Sequence, residues 1–385
     1  MKIIYVSKTC SKAYFSEIYD TSAIKPQQQD QKFNLMFIEG LRANQVIVES
    51  ISSRPINRTN LKRFYFKKKL EEAEGVQFHY LSFINIRIFR QLTLFINCFF
   101  VLIRRFIKNR KDTYVFCDTL NFSTSLAVIM ATRLYKIKSV AVVTDLPLEF
   151  QGKPSLYKKV STRLIKKYDR YIILSESMDS MINKKHRPSL VLEGMVYPPV
   201  KPEYHTMEDF IIMYAGGITS NSGIDTFIEA FIAAKIEHSH LIICGLGDLH
   251  ELVKTYAEQN VNIRYLGSLK NDEIIQLERS STLLINPRPT NLAITKYAFP
   301  SKIMEYLASG TPVLSTRLSG IPREYAPFLF FFEDETIEGM KQKLIEISQM
   351  DRSMLQTFGK TGYDFVFNQK TNLMQSQRVL KWLQK

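Results

Sequence analysis

The residues best suited to chemistry stand together between Asn286 and Thr316, in NPRPTNLAITKYAFPSKIMEYLASGTPVLST. Four of them matter: Arg288, Ser301, Lys302 and Glu305. Pro300 is tolerated where a helix begins, because its missing N–H has no intrahelical partner there, and Ser301 is expected to cap the free N–H groups. Such a helix start is an anion site, with bare N–H groups and the positive end of the dipole. Lys302 adds a full charge, and Glu305, four residues after Ser301, comes about one turn further along the same face. A cationic helix start beside a lone carboxylate suits a diphosphate on one side and sugar hydroxyls on the other. The plainer reading of the same spacing leaves Glu305 in a capping-type pair and Lys302 in solvent.

Placing these side chains takes two strands and a helix. Leu283, Leu284 and Ile285 form an apolar run that Pro287 and Pro289 stop, since proline cannot donate the next ladder bond. The helix ends at Ser309-Gly310, and Thr311-Pro312 opens the strand Val313 to Thr316. The same alternation fills the rest of the chain. In the first half, strands at 2–6, 46–48, 114–117, 139–143 and 171–175 alternate with helices at 29–43, 122–135 and 176–183, the pattern of a doubly wound α/β sheet. Tyr197-Pro198-Pro199-Val200-Lys201-Pro202 reads as a stiff linker. Beyond it come a strand at 210–214, the turn Gly216-Gly217, and a helix from Ile224 that Ser222 is expected to cap. Further strands run into Gly245, Gly247 and Gly267, and helices follow at 336–349 and 351–367. The expected division is 1–196, 197–368 and a closing helix at 369–385. No glycine-rich dinucleotide fingerprint follows the first strand. The polar segment from Lys25 to Gln29 lies near a cleft mouth in such a sheet, as a contact to a substrate or as a solvated loop.

Asn286-Pro287-Arg288 followed by Phe299-Pro300-Ser301-Lys302-Ile303-Met304-Glu305-Tyr306 resembles the C-terminal signature of family-4 retaining glycosyltransferases, above all the bacterial capsule and exopolysaccharide type. The resemblance implies an α/β chain of the GT-B fold, two Rossmann-like doubly wound domains facing a central cleft. It implies a nucleotide-diphosphate sugar held by the second domain through Gly216, Gly217, Gly267, Ser301, Lys302 and Glu305. Backbone near Gly267 to Leu269 would meet the base. A saccharide acceptor, lipid-linked in such pathways, would sit on the first domain, and 369–385 would cross back to it. Asp145, at the end of the strand 139–143, inherits the place of an acidic or histidine residue facing sugar and acceptor; turn chemistry before Pro147 is its other reading.

The family pattern is not fully kept. Its two glutamates stand eight positions apart, and counting back from Glu305 reaches Tyr297. Its arginine and lysine after the first strand of this domain fall on Gly217 and Ser222. Arg288 and Lys302 are expected to carry the diphosphate charge instead. The catalytic candidates are therefore Asp145, Lys302 and Arg288, with no cofactor and no metal. The departures keep open a non-catalytic binding or stabilising subunit of a polysaccharide-assembly complex. A sugar epimerase would want more titratable groups than Asp145.

The chain has 385 residues, 45% apolar and 12% aromatic, enough for two ordinary domains. Cys10, Cys98, Cys117 and Cys244 are far apart, and the six histidines form no zinc-like cluster. Charge is uneven: residues 1–205 hold 34 Lys and Arg against 17 Asp and Glu, and the remainder 18 against 20, within a net +15. A charge confined to one half calls for a partner of that half, an anionic membrane surface or nucleic acid. No zinc-finger spacing or RNA-binding signature accompanies it, so nucleic acid is not expected. Lys62-Arg63, Lys67-Lys68-Lys69, Lys158-Lys159 and Lys166-Lys167 could join one basic patch. Leu92 to Ile103 is an apolar run flanked by arginines, too short to span a bilayer. It reads either as a core helix with basic ends or as a helix whose exposed face settles on anionic lipid. Met1 to Val6 reads as a strand rather than a signal peptide, so the expected setting is the cytoplasm, peripheral at the inner face of the cell membrane.

Overall fold

Runs of apolar residues buried on both faces make parallel strands, and two sheets of them organise the chain. The computed structural model describes residues 1–146, 156–199, 209–297 and 299–385. Pro147 and the linker residues Val200, Lys201 and Pro202 lie outside the described residues. The chain divides into Met1–Met195 with Asn372–Lys385, and Val196–Thr371.

The first unit contains β1 (Lys2–Ser7), α1 (Lys12–Thr21), α2 (Gln28–Ala43), β2 (Ile47–Ser52), β3 (Tyr65–Phe66), β4 (Lys69–Ala73), β5 (Val76–Tyr80), β6 (Phe83–Ile84), α3 (Arg87–Lys108), β7 (Thr113–Asp118), α4 (Phe122–Tyr135), β8 (Lys138–Val143), α5 (Leu156–Ile165), β9 (Arg170–Ile173), α6 (Glu176–Ile182) and β10 (Ser189–Val191). Among the described residues its main sheet runs β10-β9-β8-β7-β1-β2-β5-β4. Only β4 is antiparallel to its neighbour within it, and β3 pairs with β6 outside it.

The second unit contains β11 (Phe210–Ala215), α7 (Ile224–Ala234), β12 (Ser239–Cys244), α8 (His250–Gln259), β13 (Ile263–Tyr265), α9 (Asn271–Ser280), β14 (Leu283–Asn286), α10 (Ser301–Ser309), β15 (Val313–Ser315), β16 (Phe330–Phe331), α11 (Ile337–Ser348) and α12 (Arg352–Gln369). Its sheet is β13-β12-β11-β14-β15-β16, every pairing parallel. In strand sequence that is 3-2-1-4-5-6, the Rossmann order. Alternation along β11 splits its core: Phe210, Ile212 and Tyr214 pack with α7 and α11, while Ile211, Met213 and Ala215 pack with α10 and α12.

α13 (Asn372–Leu383) belongs with the first unit and lies against α2. Gly40 permits that approach, since a Cβ there would stand 2.2 Å from the Asn372 carbonyl oxygen. Arg170 covers Trp382 at 5.3 Å and donates to its carbonyl at 3.1 Å.

Some sequence expectations need correction. Pro300, not Ser301, occupies the N-cap of α10, and no side chain caps it; Ser301 is already the first helical residue, so its hydroxyl stands past the capping position. Gly223, in the left-handed region, caps α7, and Ser222 stands one residue earlier with its hydroxyl donating to Thr219 at 2.6 Å. Gln28 lies inside α2 rather than in a loop, one residue before the expected helix start at 29. The β3–β6 region was not foreseen. Arg54 pins it from within, 2% exposed, donating to the carbonyls of Lys67 at 2.5 Å and Leu81 at 2.8 Å. Leu92 to Ile103 forms part of α3, which fully buries only Leu94, Cys98, Leu102 and Phe106. Among the described residues no helix is long and apolar enough to cross a membrane.

Candidate functional site

In a doubly wound sheet, ligands gather beyond the carboxyl ends of the two strands where the winding reverses. In the second unit those strands are β11 and β14, which pair directly. β11 runs out into Gly216-Gly217 and β14 into Pro287-Arg288. The turns are locked together by backbone contacts that only glycine allows. A Cβ on Gly223, at φ +71°, would fall 2.2 Å from the Pro287 carbonyl oxygen. One on Gly245, at φ +137°, would fall 1.8 Å from that of Gly216. The Gly216 amide donates to Cys244 at 3.0 Å, and the Gly245 amide to Gly267 at 2.7 Å. The ends of β11, β12 and β13 are thereby tied into one shelf. Nothing stands within 4 Å of a Cβ on Gly267, so its backbone borders open space.

Tyr306 fixes α10 to this shelf. Its buried hydroxyl accepts the Ala215 amide at 2.8 Å and donates to the Ala215 carbonyl at 3.1 Å. One turn earlier on the same helix stands Lys302. Its ammonium is 3.0 Å from the Glu305 carboxylate, and both side chains are about a third exposed (29% and 31%). Burial pulls the ammonium down, but Glu305 and then Glu278 outweigh it, so Lys302 sits above the ordinary lysine value. Glu278 is a buried residue of α9, invisible to motif reading, whose own carbonyl accepts Thr311 Oγ1 at 2.7 Å.

Arg288 is held through its carbonyl, which accepts Thr316 Oγ1 at 2.5 Å. Its charge reaches Tyr214, whose phenol is raised by burial and lowered in part by Ser222 and Arg288. The Tyr214 hydroxyl donates to Gly217 at 2.8 Å. The structure thus gathers Gly216, Gly217, Gly267 and Arg288 around the strand ends, and Lys302 and Glu305 on the helix bonded to them. Ser301 is exposed at the start of that helix.

Asp145 belongs to the other unit, beyond the carboxyl end of β8. Its Oδ1 accepts the Leu146 amide at 2.8 Å, and burial raises its carboxyl despite that bond. Winding of the first unit reverses between β1 and β7, which pair directly. A cavity of about 380 Å³ opens there, lined among others by Lys8, Thr9, Asp30, Asp118 and Arg90, with Lys25, Pro26 and Gln27 at its wall. Burial pushes the Asp118 carboxyl up to about 6, against the opposing pull of Lys8 and the Leu120 amide. Asp30 is raised as well, by burial and by Asp145, with Lys8 opposing. Among the described residues, buried Thr9 Oγ1 and Arg90 Nε have no hydrogen-bond partner, leaving capacity for a polar ligand. Of the segment Lys25 to Gln29, expected near a cleft mouth, Lys25, Pro26 and Gln27 line this cavity, whereas Lys8, Thr9, Asp30, Asp118 and Arg90 carry no sequence signal that sets them together. Among the described residues no three His, Cys, Asp or Glu could hold a metal ion.

The family model described as glycosyl transferases group 1 matches residues 209–349. The full chain is similar in fold to solved structures. One is a glycosyltransferase from Rickettsia africae, with TM-score 0.67 and 16% identity, covering 100% of this chain and 98% of that one. A second is sucrose-phosphate synthase from Thermosynechococcus elongatus, at 0.67 and 12%, with the same coverage. A third is Anabaena HepE in complex with UDP and glucose, at 0.62 and 12%, covering 100% and 99%. The fold is GT-B. No curated protein matches the sequence. Within this GT-B chain, the family match falls inside the second unit and spans Gly216, Gly217, Gly267, Arg288, Lys302 and Glu305.

Proposed function

We propose that the protein is a retaining glycosyltransferase that moves a sugar from a nucleotide-diphosphate sugar to a lipid-linked saccharide in cell-surface polysaccharide synthesis. The observation that carries this reading is a coincidence within one unit. The glycosyl transferases group 1 match and the Lys302–Glu305 pair, 3.0 Å apart and bonded through Tyr306 to the end of β11, occupy the same sheet edge. Lys302 and Arg288 supply positive charge to the diphosphate, and Glu305 accepts from ribose hydroxyls. The glycine shelf lets donor and backbone approach closely. HepE, a protein of the same fold, has been captured with UDP and glucose, which supports a nucleoside diphosphate as the ligand class.

Departure of the diphosphate builds negative charge, so stabilising it is the main catalytic demand. Side-chain cations meet that demand, and the reading calls for no metal and no protein nucleophile, with attack from the leaving-group side. The polar cavity of the first unit takes the acceptor saccharide. Asp118 and Asp30 are its hydroxyl acceptors, and Asp145 faces the reacting sugar. The lipid carrier places the enzyme at the cytoplasmic face of the cell membrane, with the basic first unit toward it.

The test is a thermal-shift panel of UDP-, GDP-, dTDP- and CMP-sugars, because a ligand that binds only the folded chain raises its melting temperature. One nucleotide class should stabilise the wild type and fail on Lys302→Ala. Slow hydrolysis of that donor, abolished by the same substitution, marks an enzyme rather than a binding subunit. A panel without any stabilising nucleotide defeats the proposal.

A further inference from the structure

α3 is apolar on two sides. One stripe of it, from Leu94 to Phe106, is buried in the first unit. The opposite side carries Phe89, Leu92, Ile96, Phe100, Ile103 and Ile107, three or four residues apart, all exposed except the half-buried Ile103. Ile107 is 69% exposed, and Ile88, beside this row, is 77% exposed. The ridge follows the helix for its 22 residues, about 33 Å at the rise of an α-helix. An exposed apolar row of this length marks an interaction surface rather than scattered surface leucines.

The neighbouring helices continue it. α4 packs on α3 through Phe106 and Tyr135, ring centroids 5.6 Å apart, and exposes Met130 and Leu134. α5 meets α4 through Tyr157 and Phe122 at 5.8 Å, and exposes Leu156 and Tyr157. Together α3, α4 and α5 carry nine Lys or Arg and no Asp or Glu. A face that joins exposed aliphatic and aromatic side chains to cations, with carboxylates excluded, matches one kind of surface: acyl chains beneath anionic headgroups.

We propose that the α3–α4–α5 layer is a monotopic docking face for an anionic lipid bilayer, with the outer ridge of α3 lying in the interface. Arg90 of α3 and Tyr157 of α5 also line the polar cavity at the end of β1 and β7. Docking therefore brings that cavity to the headgroup level, where a saccharide on a lipid carrier is presented. This last step rests on the function proposed above; the docking itself does not.

The experiment floats the full chain with vesicles of phosphatidylcholine alone or doped with phosphatidylglycerol, alongside thermal shift with the nucleotide-sugar panel. Ile96→Glu/Phe100→Glu alters exposed side chains only, and Arg104→Glu/Lys108→Glu alters exposed cations while sparing Arg105, which bonds Glu49. The wild type should float with the anionic vesicles and stay behind with phosphatidylcholine. Each double variant should lose roughly tenfold or more in partitioning, with melting temperature and nucleotide response kept. Equal flotation of wild type and the Ile96/Phe100 variant overturns the proposal, as does absence of wild-type flotation. A wild-type dimer by light scattering that the Ile96/Phe100 variant turns into monomer overturns it too, since a second copy then covers the ridge. Flotation without any nucleotide response leaves the docking face standing and removes the glycosyltransferase reading.

Discussion

Lys302 is held between two demands. Glu305 at 3.0 Å and the buried Glu278 keep it charged, although it is mostly sheltered from water. With its value above that of ordinary lysine, the charge is fully present at neutral pH and is lost only as pH rises through that raised value. A charge-assisted hydrogen bond contributes about 1.5–3 kcal/mol. Lys302→Ala should therefore weaken donor binding by about 10- to 150-fold, measured by calorimetry, and Arg288→Ala should act in the same direction. Unchanged donor affinity in both variants removes these cations from the site. Asp118 makes a separate prediction. Its folded value of about 6 exceeds that of a free aspartate, so the folded chain binds the extra proton. Its contribution to stability is then greatest below pH 4 and declines as pH rises from about 4 to 6. The gap corresponds to about 3 kcal/mol, an upper figure for one buried carboxyl. Asp118→Asn should flatten that part of the melting-temperature profile and raise stability at pH 7 relative to wild type.

At the scale of elements, the site depends on how β11 is joined to its neighbours. Tyr306→Phe keeps the ring but strips the hydroxyl from two buried backbone groups of Ala215. Leaving such groups unpaired costs about 1–3 kcal/mol. The melting temperature should fall by several degrees and donor affinity should drop, though no atom of Tyr306 is assigned to the donor. Gly245→Ala attacks the same shelf from β12: its Cβ meets the Gly216 carbonyl oxygen at 1.8 Å, at a φ of +137°. The expected loss is about 2–5 kcal/mol, from strain and forced displacement together, read by chemical denaturation. Gly267→Ala meets no neighbouring atom and should cost only the strain of its φ of +64°. α3 meets its core reading with one stripe only: Leu94, Cys98, Leu102 and Phe106 enter the core, and the other side faces outward.

For the whole molecule, the organising fact is charge asymmetry, 34 cations against 17 carboxylates over residues 1–205 and 18 against 20 beyond. Attraction between exposed charges is screened over about 10 Å at 0.1 M salt. Vesicle recovery should accordingly fall steeply with added salt, while the partly buried Lys302 site responds less. A steep, parallel loss of both would argue that salt acts on folding rather than on docking. The return of α13 to the first unit gives a second prediction at this scale. Removing residues 372–385 uncovers the α2 surface around Gly40, where Asn372 Nδ2 donates to Met36 at 3.2 Å. The first unit should lose stability, seen as a lower melting temperature.

The sequence alone determined what is local. The α4 boundaries 122–135 match the sequence reading residue for residue, and the structure adds the Asn121 cap, whose side chain accepts the Ser123 amide at 3.1 Å. Lys302 and Glu305 were each legible as site candidates, but their ion pair was not read, although three residues of helix bring them to one face. The two-residue strands β3 and β6 were not legible, since so short a run has no period to detect. Only tertiary structure could decide the rest. Lys8, Asp30 and Asp118 meet because strand order sets β1 beside β7 and the start of α2 over both. The charge state of Lys302 depends on Glu278, twenty-four residues away in sequence. Burial and electrostatic coupling are sums over neighbours in space, and those neighbours are chosen by the winding of the sheet, not by spacing along the chain.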